Sequence, residues 1–298
     1  MAENCVCSHF PRLWIPLGTF CGASPSPRDD DATMPPVFKG VDDTGQSIGT
    51  HVAFWKAVKA GAKGPDGKEL WYKKGIDYWD AVPATDDGVL GGYGHVSSLD
   101  AKENREFLDS IFGDALREQR EGSRKLVACD CGAGIGRVTS SFLIHHFDEV
   151  DLVEPVRHFI GKAEELLGPA APPREDGHRA VNFFAQPLEE FVPEEGRYDA
   201  VWIQWCVGHL PDEEFVSFFR RCAAGLKPGG VVFVKENNAK EGFVLDTEDS
   251  SVTRSHKYLM HLFEDEENLG WEVVEHRLQR DFPQELFKVR MYAVRPKP

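Results

Sequence analysis

The chain has 298 residues, 41% of them hydrophobic and 11% aromatic, which is typical of a globular protein with a sizeable core. Its formal net charge of −15 argues against binding nucleic acid by neutralising phosphates. The same charge is compatible with attraction of a basic substrate, or with acidity that only keeps the protein dissolved. No stretch has the roughly 20 apolar residues of a membrane-spanning helix. We therefore expect no direct nucleic-acid partner and no membrane partner.

The cysteines and the N-terminus provide indications of the cellular compartment of the protein. Seven cysteines are scattered without a C-x-x-C pair, which predicts reduced thiols, no metal site and no disulfide framework. The N-terminus lacks the basic-then-apolar order of a secretory signal, and acidic residues follow too soon for a transit peptide. These observations predict a protein of the cytoplasm and nucleus.

The first 120 residues contain helical patterns and irregular stretches. Residues 1–45 carry Pro and Ser punctuation without periodicity, which predicts a poorly ordered tail. Amphipathic patterns at 51–61 and 67–82 predict helices, whereas the glycine-rich segment 86–100 predicts no regular element. A helix over 101–120 would present one apolar face to the core, made of Phe107, Leu108, Ile111, Phe112 and Leu116.

The second part of the chain alternates short apolar runs with helical segments. The runs are 126–132, 149–155, 181–186, 198–205 and 230–237. Near-continuous apolar strands that alternate with helices predict a parallel sheet covered on both faces.

Two further strand patterns, 271–279 and 286–295, predict an antiparallel hairpin at the sheet edge. The pattern as a whole predicts an α/β, Rossmann-like class I methyltransferase fold rather than a dinucleotide dehydrogenase. Its mostly parallel sheet would have seven strands with helices on both faces. We expect one domain over 46–298, with an N-terminal helical extension (46–120) that covers the substrate side and a Rossmann-like core (121–298).

A glycine-rich turn follows the first strand of this core. Its sequence, Asp130-Cys-Gly-Ala-Gly-Ile-Gly-Arg137, allows a tight turn and close approach of the backbone to a ligand. The dinucleotide fingerprint would need glycine at position 137, where Arg137 stands. The spacing G-x-G-x-G after an acidic residue suits a ligand without pyrophosphate, such as S-adenosyl-L-methionine.

Glu154 ends the second strand and is placed to accept hydrogen bonds from two ribose hydroxyls. A glycine turn alone often serves only to pack a helix against a strand. Together with Glu154 it favours a nucleoside-type ligand over that structural interpretation.

Four stretches, 79–100, 126–137, 202–210 and 235–254, closely resemble the eukaryotic α-N-terminal protein methyltransferases. GGYGH, WIQW and LDxxDSS are distinctive of that family, whereas GAGIG is shared with methyltransferases at large. The similarity runs from about Ile76 to Arg295. The resemblance implies an S-adenosylmethionine-dependent enzyme whose substrates are proteins with N-termini that begin X-Pro-Lys or X-Pro-Arg.

The resemblance also implies cofactor contacts, which with a second glycine of the turn are Gly132, Gly134, Arg137, Glu154, Leu188, Glu189 and Gln204. The Arg137 guanidinium suits the carboxylate of the methionine moiety. Two positions depart from the family pattern: Glu154 replaces the usual Asp, and Glu189 stands where Gln is expected.

An α-amino group has a reference pKa of about 7.7–8.0 and must lose a proton before it can attack a methyl group. The resemblance assigns proton acceptance to Asp249 and His209, and orientation of the amine to Asn237. It implies that the substrate contacts Trp79, Leu90, Gly91, Trp205, Asp246, Ser251, Leu286 and Phe287. Trp205 would pack on the proline, and Asp246, Asp249 and Ser251 would form an acidic mouth for the Lys or Arg. Phe287 stands where the family pattern has Tyr.

Each of these residues also has a structural interpretation. His209 could fill the core or begin a helix, Trp205 could be core, and Asp249 could cap a helix after it. Their joint presence in family order favours the functional interpretation. Two other functions stay open, a small-molecule amine methyltransferase of the same fold and a non-catalytic regulatory paralogue. A nicotinamide oxidoreductase is disfavoured by Arg137.

Overall fold

The computed structural model describes residues 36–61 and 70–297. No helix in these two ranges is long and apolar enough to cross a membrane. The elements that precede the core are β1 (Lys39–Asp42), β2 (Ser47–Thr50), α1 (His51–Ala60), α2 (Leu70–Asp80), α3 (Asp86–Val89) and α4 (Ser97–Arg120).

The core alternates strands and helices as the sequence predicts. It comprises β3 (Val127–Cys131), α5 (Arg137–Ser141), β4 (Glu149–Val153), α6 (Arg157–Leu167), β5 (Arg179–Phe184), β6 (Tyr198–Gln204), α7 (Asp212–Gly225), β7 (Leu226–Asn238), β8 (Phe243–Asp246), β9 (Ser251–Arg254), α8 (His256–Glu264), β10 (Glu272–Leu278) and β11 (Lys288–Arg295). Short 3-10 turns lie at Gly94–Val96, Leu143–His145 and Val207–His209.

The large sheet has seven strands in the order β10-β11-β7-β6-β3-β4-β5. The strands from β7 to β5 are parallel, and β11 is antiparallel to both β7 and β10. The apolar faces of α4 and α6 pack in one core cluster, and those of α7 and α8 pack in another. The predicted fold class is confirmed, with helices on both faces and a terminal antiparallel hairpin.

A second, four-stranded sheet, β2-β1-β8-β9, has no counterpart in the sequence prediction. Its strands have four residues each, too few to show a convincing alternation. β1 pairs in parallel with β8, and next to it Phe38 stacks on Tyr258 with ring centroids 4.2 Å apart. Placing the end of the tail at residue 45 was therefore wrong for residues 36–45; residues 1–35 lie outside the described residues.

Two further expectations need correction. The segment 86–100 contains α3, which the Thr85 side chain caps by accepting from the backbone N–H of Gly88, and it also contains the start of α4. A helix capped directly by Asp249 is wrong as well. Ser251–Arg254 is a strand, and Ser255 caps α8 by accepting from the N–H of Tyr258.

Candidate active site

The glycine turn lies between β3 and α5, at the carboxyl edge of the sheet. Gly132, Gly134 and Gly136 have φ of +72°, +55° and +78°, a region that L-residues with a side chain rarely adopt. A Cβ on Gly132 would lie 2.5 Å from Sγ of Cys206. Glycine is therefore required at position 132 both by the backbone conformation and by the lack of space for a Cβ. The backbone of the turn forms one wall of a cavity.

That cavity encloses about 1050 Å³, including the part that is open to solvent. All seven residues predicted to contact the cofactor line it, as do Leu90, Trp79 and the apolar side chains of Ile135 and Phe159. The structure thus brings the predicted cofactor residues together around one space of the size that small-molecule ligands occupy.

Glu154 is buried at the end of β4 with its carboxylate in this cavity. Its Oε2 accepts from the backbone N–H of Gly134 at 2.9 Å, and its Oε1 accepts from that of Val156 at 2.8 Å. Burial raises the pKa of Glu154 to about 7. Each oxygen has a second lone pair, so the fixed carboxylate fits a ribose diol.

Arg137 and Gln204 are held by a carboxylate that the sequence analysis missed. Asp100, fully buried near the start of α4, pairs with Arg137 at 2.7 Å and accepts from the Gln204 amide at 2.9 and 3.0 Å. The Gln204 Oε1 accepts from Asn104 and from Trp202 Nε1, both at 3.0 Å. Gln204 therefore fixes the wall of the cavity through its amide, and its contact with the cofactor stays a prediction.

Lys235, also buried, donates to the carboxylate of Asp100 and, at 2.7 Å, to Oδ1 of Asn104. Burial would raise the pKa of Asp100, but Lys235 and Arg137 outweigh it and hold that pKa below its ordinary value. Arg137 and Lys235 lie 5.5 and 5.8 Å from the ring centroid of Trp205. The two buried cations thus stabilise the indole of Trp205 by cation–π attraction, in addition to fixing the cavity wall. The sequence analysis placed Asp100 in a glycine-rich segment without regular structure and gave it no role.

A second cavity of about 550 Å³ adjoins the first, because Trp79, Trp205 and His209 line both. The three predicted catalytic residues line it together with Asp246, Ser251 and Phe287. Two predicted substrate residues line neither cavity: Gly91, and Leu286, which is 1% exposed and packs as core. A binding role for the Leu286 side chain therefore finds no support.

Three residues that line this second cavity each have a buried polar atom without a hydrogen-bond partner in the described ranges. These atoms are Nε1 of Trp205, Oδ1 of Asn237 and Oδ1 of Asp249. Such atoms cost free energy of roughly 1–3 kcal/mol each when they stay unpaired, so they mark a place where a polar ligand is expected. Trp205 also has φ of +56°, a strained conformation of the kind that clusters at binding sites.

His209 has both ring nitrogens engaged within the protein. Nδ1 lies 3.2 Å from the backbone carbonyl of Ser250, to which it donates, and Nε2 accepts from Nε1 of Trp79 at 3.1 Å. The nearest carboxylate oxygen of Asp249 lies 3.9 Å from Nε2. Of the two predicted proton acceptors, Asp249 therefore keeps an oxygen without a partner in the described ranges, whereas both ring nitrogens of His209 are engaged; the catalytic roles of both stay predictions.

Two other residues at this site were missed by the sequence analysis. Glu236 lines the second cavity, accepts from the N–H of Val207 at 3.0 Å, and has its pKa raised to about 7 by burial. Gly75 of α2 approaches so closely that a Cβ would lie 3.0 Å from the backbone oxygen of Asp249. Glu236 precedes Asn237 in a stretch already singled out, whereas nothing local to α2 marks Gly75.

No group of three or more His, Cys, Asp or Glu side chains within 36–61 and 70–297 is arranged to hold a metal ion. The fold and the site together define a class I methyltransferase, with a nucleoside-type cavity at the carboxyl ends of β3 and β4 and an acidic second cavity beside it.

Comparison with known proteins agrees with this class. A family model described as AdoMet dependent proline di-methyltransferase matches residues 67–295. An alpha N-terminal protein methyltransferase 1 from Oryza sativa subsp. indica is 50% identical over 233 residues, 78% of this chain and 74% of the relative. The Arabidopsis thaliana protein of that name is 46% identical over 255 residues, covering 86% and 90%.

An N-terminal Xaa-Pro-Lys N-methyltransferase 1 from Mus musculus is 39% identical over 228 residues, covering 76% of this chain and 96% of the relative. Among solved structures, a SAM-dependent methyltransferase from Leishmania major superposes with a TM-score of 0.75 and 34% identity, covering 89% of this chain and all of that one. The chain belongs to the family of AdoMet-dependent proline di-methyltransferases. It is an enzyme, and S-adenosylmethionine is its methyl donor.

Proposed function

We propose that the protein transfers methyl groups from S-adenosylmethionine to the free α-amino group of protein N-termini that start X-Pro-Lys or X-Pro-Arg. The observation that carries the proposal is the set of three unpartnered buried atoms, on Trp205, Asn237 and Asp249, around a cavity that adjoins the cofactor cavity. The names of the similar plant proteins support methylation of the protein α-N-terminus, and the name of the similar mouse protein supports X-Pro-Lys as the sequence.

Proton removal falls to Asp249. Its Oδ1 has no partner among the described residues, and the residue is 6% exposed, so water competes poorly for the incoming ammonium. An α-ammonium next to a buried carboxylate can transfer a proton directly within hydrogen-bond reach. The Asn237 Oδ1 accepts from a remaining N–H and aims the lone pair of the amine.

Trp205 orients the peptide that follows the amine. Its Nε1–H has no partner among the described residues and would donate to a substrate carbonyl, and its ring would offer an apolar surface for a proline at position two. Arg137, Glu154 and the glycine turn hold the cofactor, which supplies an electrophilic methyl group on its sulfonium when bound. Catalysis then depends mainly on deprotonation and alignment.

The proposal is tested by mass spectrometry of an Ala-Pro-Lys-led peptide after incubation with enzyme and S-adenosylmethionine, beside its N-acetylated copy. Mass gains in steps of one methyl, confined to the free peptide, are expected, and they also count the methyl groups. Methylation of both peptides, or of free amines instead, would contradict the proposal and favour a different acceptor.

We also propose that the enzyme works in the cytoplasm and nucleus, without direct contact with nucleic acid. Cys129, Cys131, Cys206 and Cys222 are free thiols, which supports a reducing compartment. Imaging of a fluorescently tagged full chain tests the location, and enrichment in a secretory compartment would contradict it.

A further inference from the structure

The hairpin formed by β1 and β2 lies outside the stretch that the family model matches, residues 67–295. β1 pairs in parallel with β8 in the register Val41 with Val244 and Asp42 with Leu245. The next residue, Asp43, begins the hairpin turn beside the last residue of β8, Asp246. A segment distant in sequence thus delivers a carboxylate to the end of β8, where the substrate cavity opens.

The side chains of β8 alternate between the core and the second cavity. Phe243 packs in the core and Leu245 packs against it, whereas Val244 and Asp246 line the second cavity. Asp43 is the first residue of the turn after β1, and it lies close enough to Asp246 for its charge to act on that carboxylate. Asp42 is committed elsewhere, because its Oδ1 accepts from the N–H groups of Thr44 and Gln46 within the hairpin turn.

Asp43 is held at this position by the turn that joins β8 to β9. The Thr247 hydroxyl lies 3.2 Å from both carboxylate oxygens of Asp43. Lys74, a cation near this turn, donates to the backbone oxygen of Thr247. Asp43 and Asp246 are therefore two carboxylates side by side, an arrangement that is unfavourable unless a cation lies between them.

Electrostatics and the buried atoms both indicate that such a cation comes from a ligand. Burial, then Asp249 and to a lesser extent Asp43, raise the pKa of Asp246 to about 6. The buried Asp249, Asp246 and the half-buried Asp43 are thus three neighbouring carboxylates. The unpartnered oxygens of Asp249 and Asn237 belong to residues that line the same cavity.

We propose that Asp43 is a specificity-determining residue that binds, together with Asp246, the basic side chain at position three of the substrate. This inference rests on the proposed function. With the α-amine at Asp249, an extended peptide advances about 3.3 Å per residue towards the mouth, where the two carboxylates receive the side-chain cation.

The test measures binding of an Ala-Pro-Lys-led peptide by calorimetry in the presence of S-adenosylhomocysteine. Asp43→Asn should weaken binding about three- to tenfold, in the range of a partly exposed ion pair, and Asp43→Lys should weaken it further. The matched control is Glu248→Gln, which removes an exposed carboxylate from the neighbouring turn and should change binding less than twofold. A copy of the peptide acetylated at the lysine Nζ should bind wild type and Asp43→Asn equally.

If Asp43→Asn and Glu248→Gln lose the same amount of peptide affinity, the effect comes from the overall negative charge of the surface, and the inference is overturned. A change of less than twofold for Asp43→Asn would also overturn it. Failure of the proposed function is distinguishable, since wild type itself would then neither bind nor methylate the peptide. Melting temperatures within a degree or two of wild type should confirm that Asp43→Asn leaves the fold intact.

Discussion

Asp249 is buried at the second cavity, and its Oδ1 has no hydrogen-bond partner in the described ranges. Among the described carboxylates that line this cavity, only Asp249 has both properties. Asp249→Asn keeps the size of the side chain but removes the proton acceptor. We expect kcat to fall about 10²- to 10⁴-fold, which is the usual contribution of general base catalysis. Steady-state kinetics on the Ala-Pro-Lys-led peptide measures this loss.

Cofactor affinity is the control for Asp249→Asn. Glu154 and the glycine turn are separate from Asp249, so the Kd for S-adenosylhomocysteine should stay within about twofold. A loss of cofactor binding as large as the loss of kcat would contradict the assigned role and indicate structural damage.

Trp205 combines an apolar ring, an unpartnered Nε1–H and a strained backbone. Trp205→Ala should raise the KM for the peptide about tenfold or more, because buried tryptophans are frequent hot spots of recognition. Trp205→Phe keeps an aromatic face and loses the donor, so its KM should lie between the KM of wild type and that of Trp205→Ala. An unchanged KM in both variants would remove Trp205 from the peptide channel.

Glu154 gives cofactor binding a pH dependence of known sign. Burial raises its pKa from an ordinary value of 4.5 to about 7, and only the ionised form accepts from both ribose hydroxyls. Affinity for S-adenosylhomocysteine should therefore rise about tenfold between pH 6 and pH 8, following the ionised fraction. Calorimetry across this range on wild type and Glu154→Gln measures it. An equal slope in the variant would assign the dependence to another group.

At the scale of elements, Asp100 ties α4 to β6, β7 and α5 through Gln204, Lys235 and Arg137. Asp100→Asn leaves two buried cations without their counter-charge, which should lower the free energy of unfolding by about 3–5 kcal/mol. Urea denaturation measures the loss. Asp109→Asn, an exposed change on the same helix, should cost less than about 0.5 kcal/mol. Similar values for both variants would contradict a structural role for the buried cluster.

The elements that could be predicted from the sequence are those whose pattern is long enough to be read. The helix carrying Phe107, Leu108 and Phe112 and the buried strands β3, β4 and β6 repeat an apolar period over many residues. The strands β1, β2, β8 and β9 do not, because four residues place only two side chains on each face of a sheet and the pairing of β1 with β8 is non-local.

The same distinction of scale holds for the candidate site. Residues that follow strands in recognisable stretches, such as Glu154, Asn237 and Asp249, could be predicted because one edge of a sheet gathers them. Asp100 and Gly75 could not, since their importance comes from partners that are distant in sequence. The hydrogen bonds of His209 could not be predicted from the sequence either. They engage both ring nitrogens and so distinguish His209 from Asp249, which keeps an oxygen without a partner in the described ranges.

At the scale of the whole molecule, the pairing of β1 with β8 has a consequence for how much of the chain is needed. A chain shortened to the stretch matched by the family model, 67–295, would lose β1 and β2 and leave β8 as a bare edge strand. Unpaired strand edges template pairing between molecules, and the loss of Phe38 would also uncover the ring of Tyr258. We expect the shortened chain to self-associate in light scattering, whereas a chain beginning at residue 36 should stay monodisperse under the same conditions. The bounds of the family model alone would place the start of the domain too late. Equal dispersity of the two chains would show that β8 tolerates an open edge.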